Sequence, residues 1–241
     1  MDLTALVVIT IGTFLVSFFN ASLGPTGGAQ LAIMAYFLPP QLTIASHAVV
    51  LGASSLARAL NLRQHIDRNF LIRFIFLSAV GTILAGSIFV NIEDNLLFIL
   101  IGGFILLNNF IPYKLLIHKK LYSWMDGVVA LVTGFLTLFI GATGPIVFTY
   151  IAANEKDRKV VIATEAACMC FQHFTKVLVL GIITIEIGLH IFESIIFILA
   201  AIAGTKIGTI VLVKLPEDIF RIGFKLVTTV IGLYLIGKGF V

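Results

Sequence analysis

Gly24-Pro25-Thr26-Gly27-Gly28 and Gly141-Ala142-Thr143-Gly144-Pro145 decide how this chain is read. Each interrupts a long apolar stretch where a helix should run. Glycine weakens a helix through its backbone entropy, and proline removes a donor and clashes with the preceding turn. The surroundings of both breaks are membrane-like. Of 241 residues, 59% are hydrophobic and only 12% charged, with mean hydropathy +1.11. A soluble domain carries about 25% charged residues. This surplus of apolar side chains exceeds one soluble core, so the bilayer is the expected solvent. Inside a bilayer, non-helical backbone is tolerated only where it is buried in protein or lines a watery cavity. The two breaks are therefore the first candidates for a binding site.

Composition excludes several other functions. The net charge of +4 is that of a membrane protein with Lys and Arg in its cytoplasmic loops, and no basic patch with interleaved aromatics points to nucleic acid. Met1-Asp2-Leu3 lacks the basic start of a cleavable signal peptide, so the first apolar segment is expected to be a mature membrane helix. The two cysteines, Cys168 and Cys170, are spaced to point to different helix faces and are read as packing residues. No CxxC or HExxH spacing suggests a metal. Asp67, His65, His118 and Asp157 are too scattered to form the acid–base cluster of a membrane-embedded enzyme.

About twenty apolar residues cross a bilayer as a helix. Apolar runs predict helices over 3–23, 42–60, 70–90, 96–112, 124–140, 160–180, 191–212 and 219–237. Short segments over 28–38 and 145–153 follow the two breaks, and each is too short to cross alone. Pro39-Pro40 is expected to end the first of them. The predicted fold is all-α: a polytopic transmembrane bundle of two inverted repeats, each a broken helical hairpin plus three membrane helices. Residues 1–113 form the first repeat, 114–123 a cytoplasmic connector and 124–241 the second.

The repeat is visible residue by residue. Setting Gly24 on Gly141 pairs Thr26 with Thr143 and Gly27 with Gly144. One residue of slip aligns Ala45-Ser46-His47-Ala48 with Ala163-Thr164-Glu165-Ala166. The same register pairs Ser54 with Gln172 and Arg58 with Lys176. Gly81-Thr82 then matches Gly204-Thr205. Loop charges set the orientation. The basic loop 61–69 and the connector 114–120 are placed inside, and the acidic turn 91–95 outside. With a hairpin that enters and leaves on one side, the second half begins inside. Its loop 154–159 then falls inside and its turn 184–193 outside. Inversion is the arrangement these charges favour.

Inverted repeats with broken helices are a recurrent plan of secondary transporters, with the site at the repeat interface. A helix that starts in mid-membrane presents unpaired N–H groups and a partial positive charge to an anion. Gly24, Thr26, Gly27, Gly28, Thr143 and Gly144 are the candidate anion ligands at the breaks; the competing reading is that the glycines only permit close helix packing. Ser46, His47 and Thr164 lie at the matched helix starts, and Ser54, Gln172 and Lys176 further along them. Polar groups inside membrane helices are costly and often functional. His47 and Glu165 are the candidates for proton coupling, against the blander reading of His47 as a packing histidine. Similar depth predicts that Glu165 pairs with Lys206. Arg58 adjoins a basic loop and reads first as a topology residue, while His173 is placed along the path.

The two glycine breaks, each about twenty residues before the small-polar starts Ala45-Ser46-His47 and Ala163-Thr164-Glu165, resemble those of the TauE/SafE family of membrane permeases. Pro25-Thr26 and Ala142-Thr143 stand where that family's breaks are commonly richer in glycine. The resemblance covers nearly the whole chain. It implies export of sulfite, sulfoacetate and related sulfur anions. The expected function is therefore a transporter, not an enzyme, for sulfite or organosulfonates, working by alternating access in a prokaryotic inner membrane. A permease for another small anion or metabolite is the alternative, ahead of an enzyme or scaffold. No cofactor is implied. The expected partners are the anion and the lipid bilayer, with a homodimer allowed and nucleic acid excluded.

Overall fold

The computed structural model describes residues 1–23, 27–89, 91–110, 124–183, 191–211 and 217–241. Among them are ten α-helices, one 3-10 turn at Arg63–His65 and no strand. The first half holds α1 (Leu3–Leu23), α2 (Gly27–Phe37), α3 (Pro40–Asn61), α4 (Arg68–Phe89) and α5 (Asp94–Phe110). The second holds α6 (Met125–Ile140), α7 (Gly144–Asn154), α8 (Arg158–Ile183), α9 (Ile191–Val211) and α10 (Glu217–Lys238). These bounds follow the apolar runs closely. Pro39-Pro40 does more than end α2: Pro39 caps α3 and Pro40 sits in its first turn, where a missing N–H and a preset φ suit a helix start.

Four helices among the described residues are long and apolar enough to cross a bilayer: Leu3–Ala21, Pro40–Asn61, Arg68–Phe89 and Phe192–Ile210. Helices α5 and α6 are apolar but shorter. With 11 residues each, α2 and α7 are about 16 Å long, roughly half of a hydrocarbon core. Each folds back on the helix before it. Gln30 Nε2 in α2 donates to Thr13 Oγ1 in α1 at 2.7 Å, and Met34 and Leu38 rejoin Ile9 in one apolar cluster. In the second half, Tyr150 Oη in α7 donates to Asp126 Oδ1 at the start of α6 at 2.6 Å.

Helices α3 and α8 cross antiparallel in the interior. Arg58 lies against Glu165, and His47, three turns earlier, against His173, further along α8. Helices α5 and α10 are also antiparallel: a Cβ on Gly102 would lie 2.6 Å from the Gly232 carbonyl oxygen, and one on Gly239 as close to that of Asn95. By contrast, α4 runs parallel to α6, and α9 parallel to α1. A Cβ on Gly81 would collide with the Leu131 carbonyl oxygen and lie 2.8 Å from Phe135 N. One on Gly204 would collide with the Phe14 carbonyl oxygen and lie 3.1 Å from Phe18 N. The register that sets Gly24 on Gly141 sets Phe14 on Leu131 and Phe18 on Phe135. Matched glycines thus make matched contacts, each with a helix of the other half.

The loop after α3 meets the start of α8, where Asp67 N donates to Thr164 Oγ1 at 2.9 Å. Residues 61–69 and 154–159 therefore lie at one end of the bundle. The main core gathers Phe89, Phe98, Phe104, Phe139, Ile101 and Leu138 with residues of α2 and α3. Cys168 packs with Phe70 and Phe74. Outward faces carry Phe76, Phe192, Leu199, Ile210 and Val230 exposed, an apolar surface suited to lipid rather than water.

Candidate functional site

Gly24, Pro25 and Thr26 lie outside the described residues, so the first break is seen from Gly27 onward. The second is described throughout. Gly141 ends α6 at φ 75°, a left-handed conformation that glycine adopts without a steric penalty. Its N–H donates to the Thr137 carbonyl at 3.1 Å. Helix α7 then starts at Gly144. Pro145 has no N–H, and Ile146 and Val147 donate back to the Thr143 carbonyl. Of the first three residues of α7, only Gly144 keeps an N–H for a ligand, so this helix start needs help from side chains to hold an anion.

The two breaks lie side by side. A Cβ on Gly27 would sit 3.8 Å from the Ala142 Cβ, and one on Gly141 would sit 2.7 Å from Leu31 Cδ1 in α2. A cavity opens between them. Gly27 lines it from the first break, and Ala142, Gly144 and Pro145 from the second. Helix α3 adds Leu51, Ser55 and Arg58; α8 adds Glu165, Met169 and His173; Asn20 of α1 completes the wall. The lining is paired in the repeat register: Gly27 with Gly144, Leu51 with Met169, Ser55 with His173. The cavity is small, with room for water.

Five buried ionisable groups surround this cavity. Arg58 Nη1 lies 3.3 Å from Glu165 Oε2, with the side chains 3% and 1% exposed. Arg58 Nη2 donates to Ser55 Oγ at 3.4 Å, and Arg58 Nε has no partner. His173 Nδ1 has no partner either. His47 Nε2 is 3.1 Å from the Gly27 carbonyl oxygen, its Nδ1 is unpartnered, and its ring centre lies 5.6 Å from that of His173. Lys176, fully buried, donates to the Gly141 carbonyl at 3.4 Å. A cation there meets the negative end of α6.

The expected Glu165–Lys206 pair does not form. Glu165 pairs with Arg58, and Lys206 is exposed on α9. Depth along a helix was the only guide to that pairing, and it says nothing about which face a side chain occupies. Several other candidates hold helices together. Thr143 Oγ1 donates to Gln172 Oε1 at 2.5 Å, and Gln172 Nε2 donates to Ser78 and Thr133. Ser54 bonds Thr205 of α9 at 2.8 Å. Thr164 receives Asp67 N. Gly28 faces Asn108, 3.3 Å from where its Cβ would lie, and Ser46 is buried away from the cavity lining. Of the residues named from sequence, Gly27, Gly144, Glu165 and His173 line the cavity, with His47 and Lys176 behind it. Arg58, which sequence alone marks as a loop-adjacent cation, lines it as well. Ser55 was missed, although the register that pairs Arg58 with Lys176 makes it the mate of His173.

The family described as Sulfite exporter TauE/SafE matches residues 9–235. The chain belongs to the TauE/SafE family. No curated protein and no solved structure matches it. Membership in TauE/SafE, together with the apolar helices, makes the chain a multi-pass membrane protein of a transporter family. Both breaks and every residue of the cavity fall inside the matched stretch.

Proposed function

We propose that this chain exports small oxidised-sulfur anions, sulfite or organosulfonates, across a prokaryotic inner membrane. The observation that carries this reading is the cavity between the breaks, where Arg58 and His173 bring buried, unpartnered nitrogens to the start of α7. A guanidinium fork matches the oxygens of a sulfite or sulfonate group, and a helix start adds positive potential. The cavity is smaller than such an anion, so loading it requires the lining side chains, Leu51 and Met169 among them, to move.

The transport cycle is proposed as alternating access of two inverted halves. Three features support inversion. The mated helices α3 and α8 are antiparallel, as are α5 and α10, which an axis in the membrane plane requires. The pairs α4/α6 and α9/α1 are parallel and are exchanged by the same operation. Loops 61–69 and 154–159, both placed inside by charge, share one end. The repeat-paired lining of the cavity, Gly27 with Gly144 and Ser55 with His173, agrees with a site on such an axis.

The test is flux of radiolabelled sulfite into and out of proteoliposomes, with methanesulfonate, chloride and acetate as competitors. Wild type is expected to carry sulfite and to be blocked by methanesulfonate. His173→Ala should weaken transport by about ten- to a hundredfold, as loss of a buried hydrogen bond to a charged group does. Lys206→Met, on the lipid side, should leave it unchanged. Flux that only chloride or acetate inhibits would make the chain a permease for another anion. Absence of any anion flux would overturn the reading.

A further inference from the structure

The geometry of Arg58 carries a proposal that rests on this site reading. A guanidinium has five N–H donors. When it pairs with a carboxylate in the interior, the strong arrangement is two short parallel bonds. Arg58 has instead one carboxylate oxygen at 3.3 Å and one hydroxyl at 3.4 Å, with Nε unpartnered. The fork is half used, and it opens on the cavity that Gly144 and His173 also line. An anion that takes the fork adds a negative charge beside Glu165. Arginine, glutamate and anion together would leave a net negative charge in a buried, low-dielectric site, which burial penalises. The nearest further cation, Lys176, does not line the cavity and already faces the C-terminal end of α6. Facing Glu165 are Arg58 and Ser55 from α3, Cys168 and His173 on its own helix, and Asp67 in the loop bonded to the neighbouring Thr164. Lys176 is held at the Gly141 carbonyl, and His47 at Gly27.

We infer that Glu165 and the transported anion compete for Arg58, and that Glu165 takes up one proton as the anion binds. No bond other than O–H forms: the proton comes from solvent and rests on a Glu165 carboxyl oxygen, while the anion keeps its charge. The proton and anion cross together, so movement of a monoanion is electroneutral.

The test is calorimetric binding of methanesulfonate, whose charge is constant over the pH range used, to purified full-length protein. Running it in buffers of different ionisation enthalpy counts protons taken up. Wild type is expected to take up about one proton per anion, and its affinity to fall about tenfold per pH unit above neutrality. Glu165→Gln should bind with no proton uptake and no pH dependence. His173→Asn and His47→Gln should keep the uptake of wild type; they decide the matter if Glu165→Gln does not fold. Zero uptake by wild type, uptake that persists in Glu165→Gln, or uptake that vanishes in either histidine variant would overturn the inference while leaving the anion site standing. A wild type that binds no sulfonate fails the site reading itself, and the inference with it.

Discussion

The Arg58–Glu165 pair shows what the bilayer interior demands of single residues. Both groups are buried among α3, α8 and the breaks, so each charge depends on its partner. Arg58→Ala should cost about 3–5 kcal/mol, because it strands a buried carboxylate. Adding Glu165→Ala should recover part of that loss. Thermal unfolding in detergent for the two single variants and the double variant measures the coupling. Lys176→Met should cost about 1–3 kcal/mol, since the Gly141 carbonyl loses its buried partner. Residue chemistry was only partly legible in the sequence. That polar groups sit in these helices is plain from composition. Which of them meet depends on helix azimuth and crossing direction, and apolar runs encode neither. Glu165 could be assigned to Lys206 by depth, yet α8 crosses α3, not the face of α9 that carries Lys206. Likewise Thr143 and Gln172 read as ligands, but at 2.5 Å they satisfy each other.

At the scale of elements, the sequence was far more legible. Helix ends follow from Pro, Gly and charge, and both short segments appear where the breaks predict them. The repeat register even anticipates contacts: it sets Gly81 on Gly204, and their neighbours are the mates Leu131 and Phe14. Gly204→Ala should push α9 from α1 and cost about 1–3 kcal/mol by overpacking, read as a lowered melting temperature. Gly103→Ala, with open space around it, should not destabilise. The two hairpins are nevertheless fastened differently. Arg73, Asp126 and Tyr150 form a polar clasp over α4, α6 and α7, with an ion pair at 2.8 Å. In the same register, Asp126 and Tyr150 match Ile9 and Ile33, which meet in an apolar cluster. Tyr150→Phe should therefore cost about 1 kcal/mol, measured by the same unfolding assay.

For the whole molecule, the arrangement of ends is the testable quantity. Single cysteines placed in loops 61–69 and 154–159 should be labelled by an impermeant thiol reagent from one side of the membrane, and cysteines at 91–95 from the other. Labelling of 61–69 and 154–159 from opposite sides would refute the inverted arrangement.

The exchange of packing partners between the halves has a consequence for biogenesis. Helix α1 leaves the ribosome long before its neighbour α9, which begins about 190 residues later. At roughly 5–20 residues per second, that is a wait on the order of ten to forty seconds. Meanwhile Thr13, Ser17 and Asn20, buried in the finished protein, lack the cover that α9 supplies. Pulse-labelled crosslinking during synthesis is expected to catch α1 against a transient neighbour in the membrane, a contact that is lost once α9 is inserted.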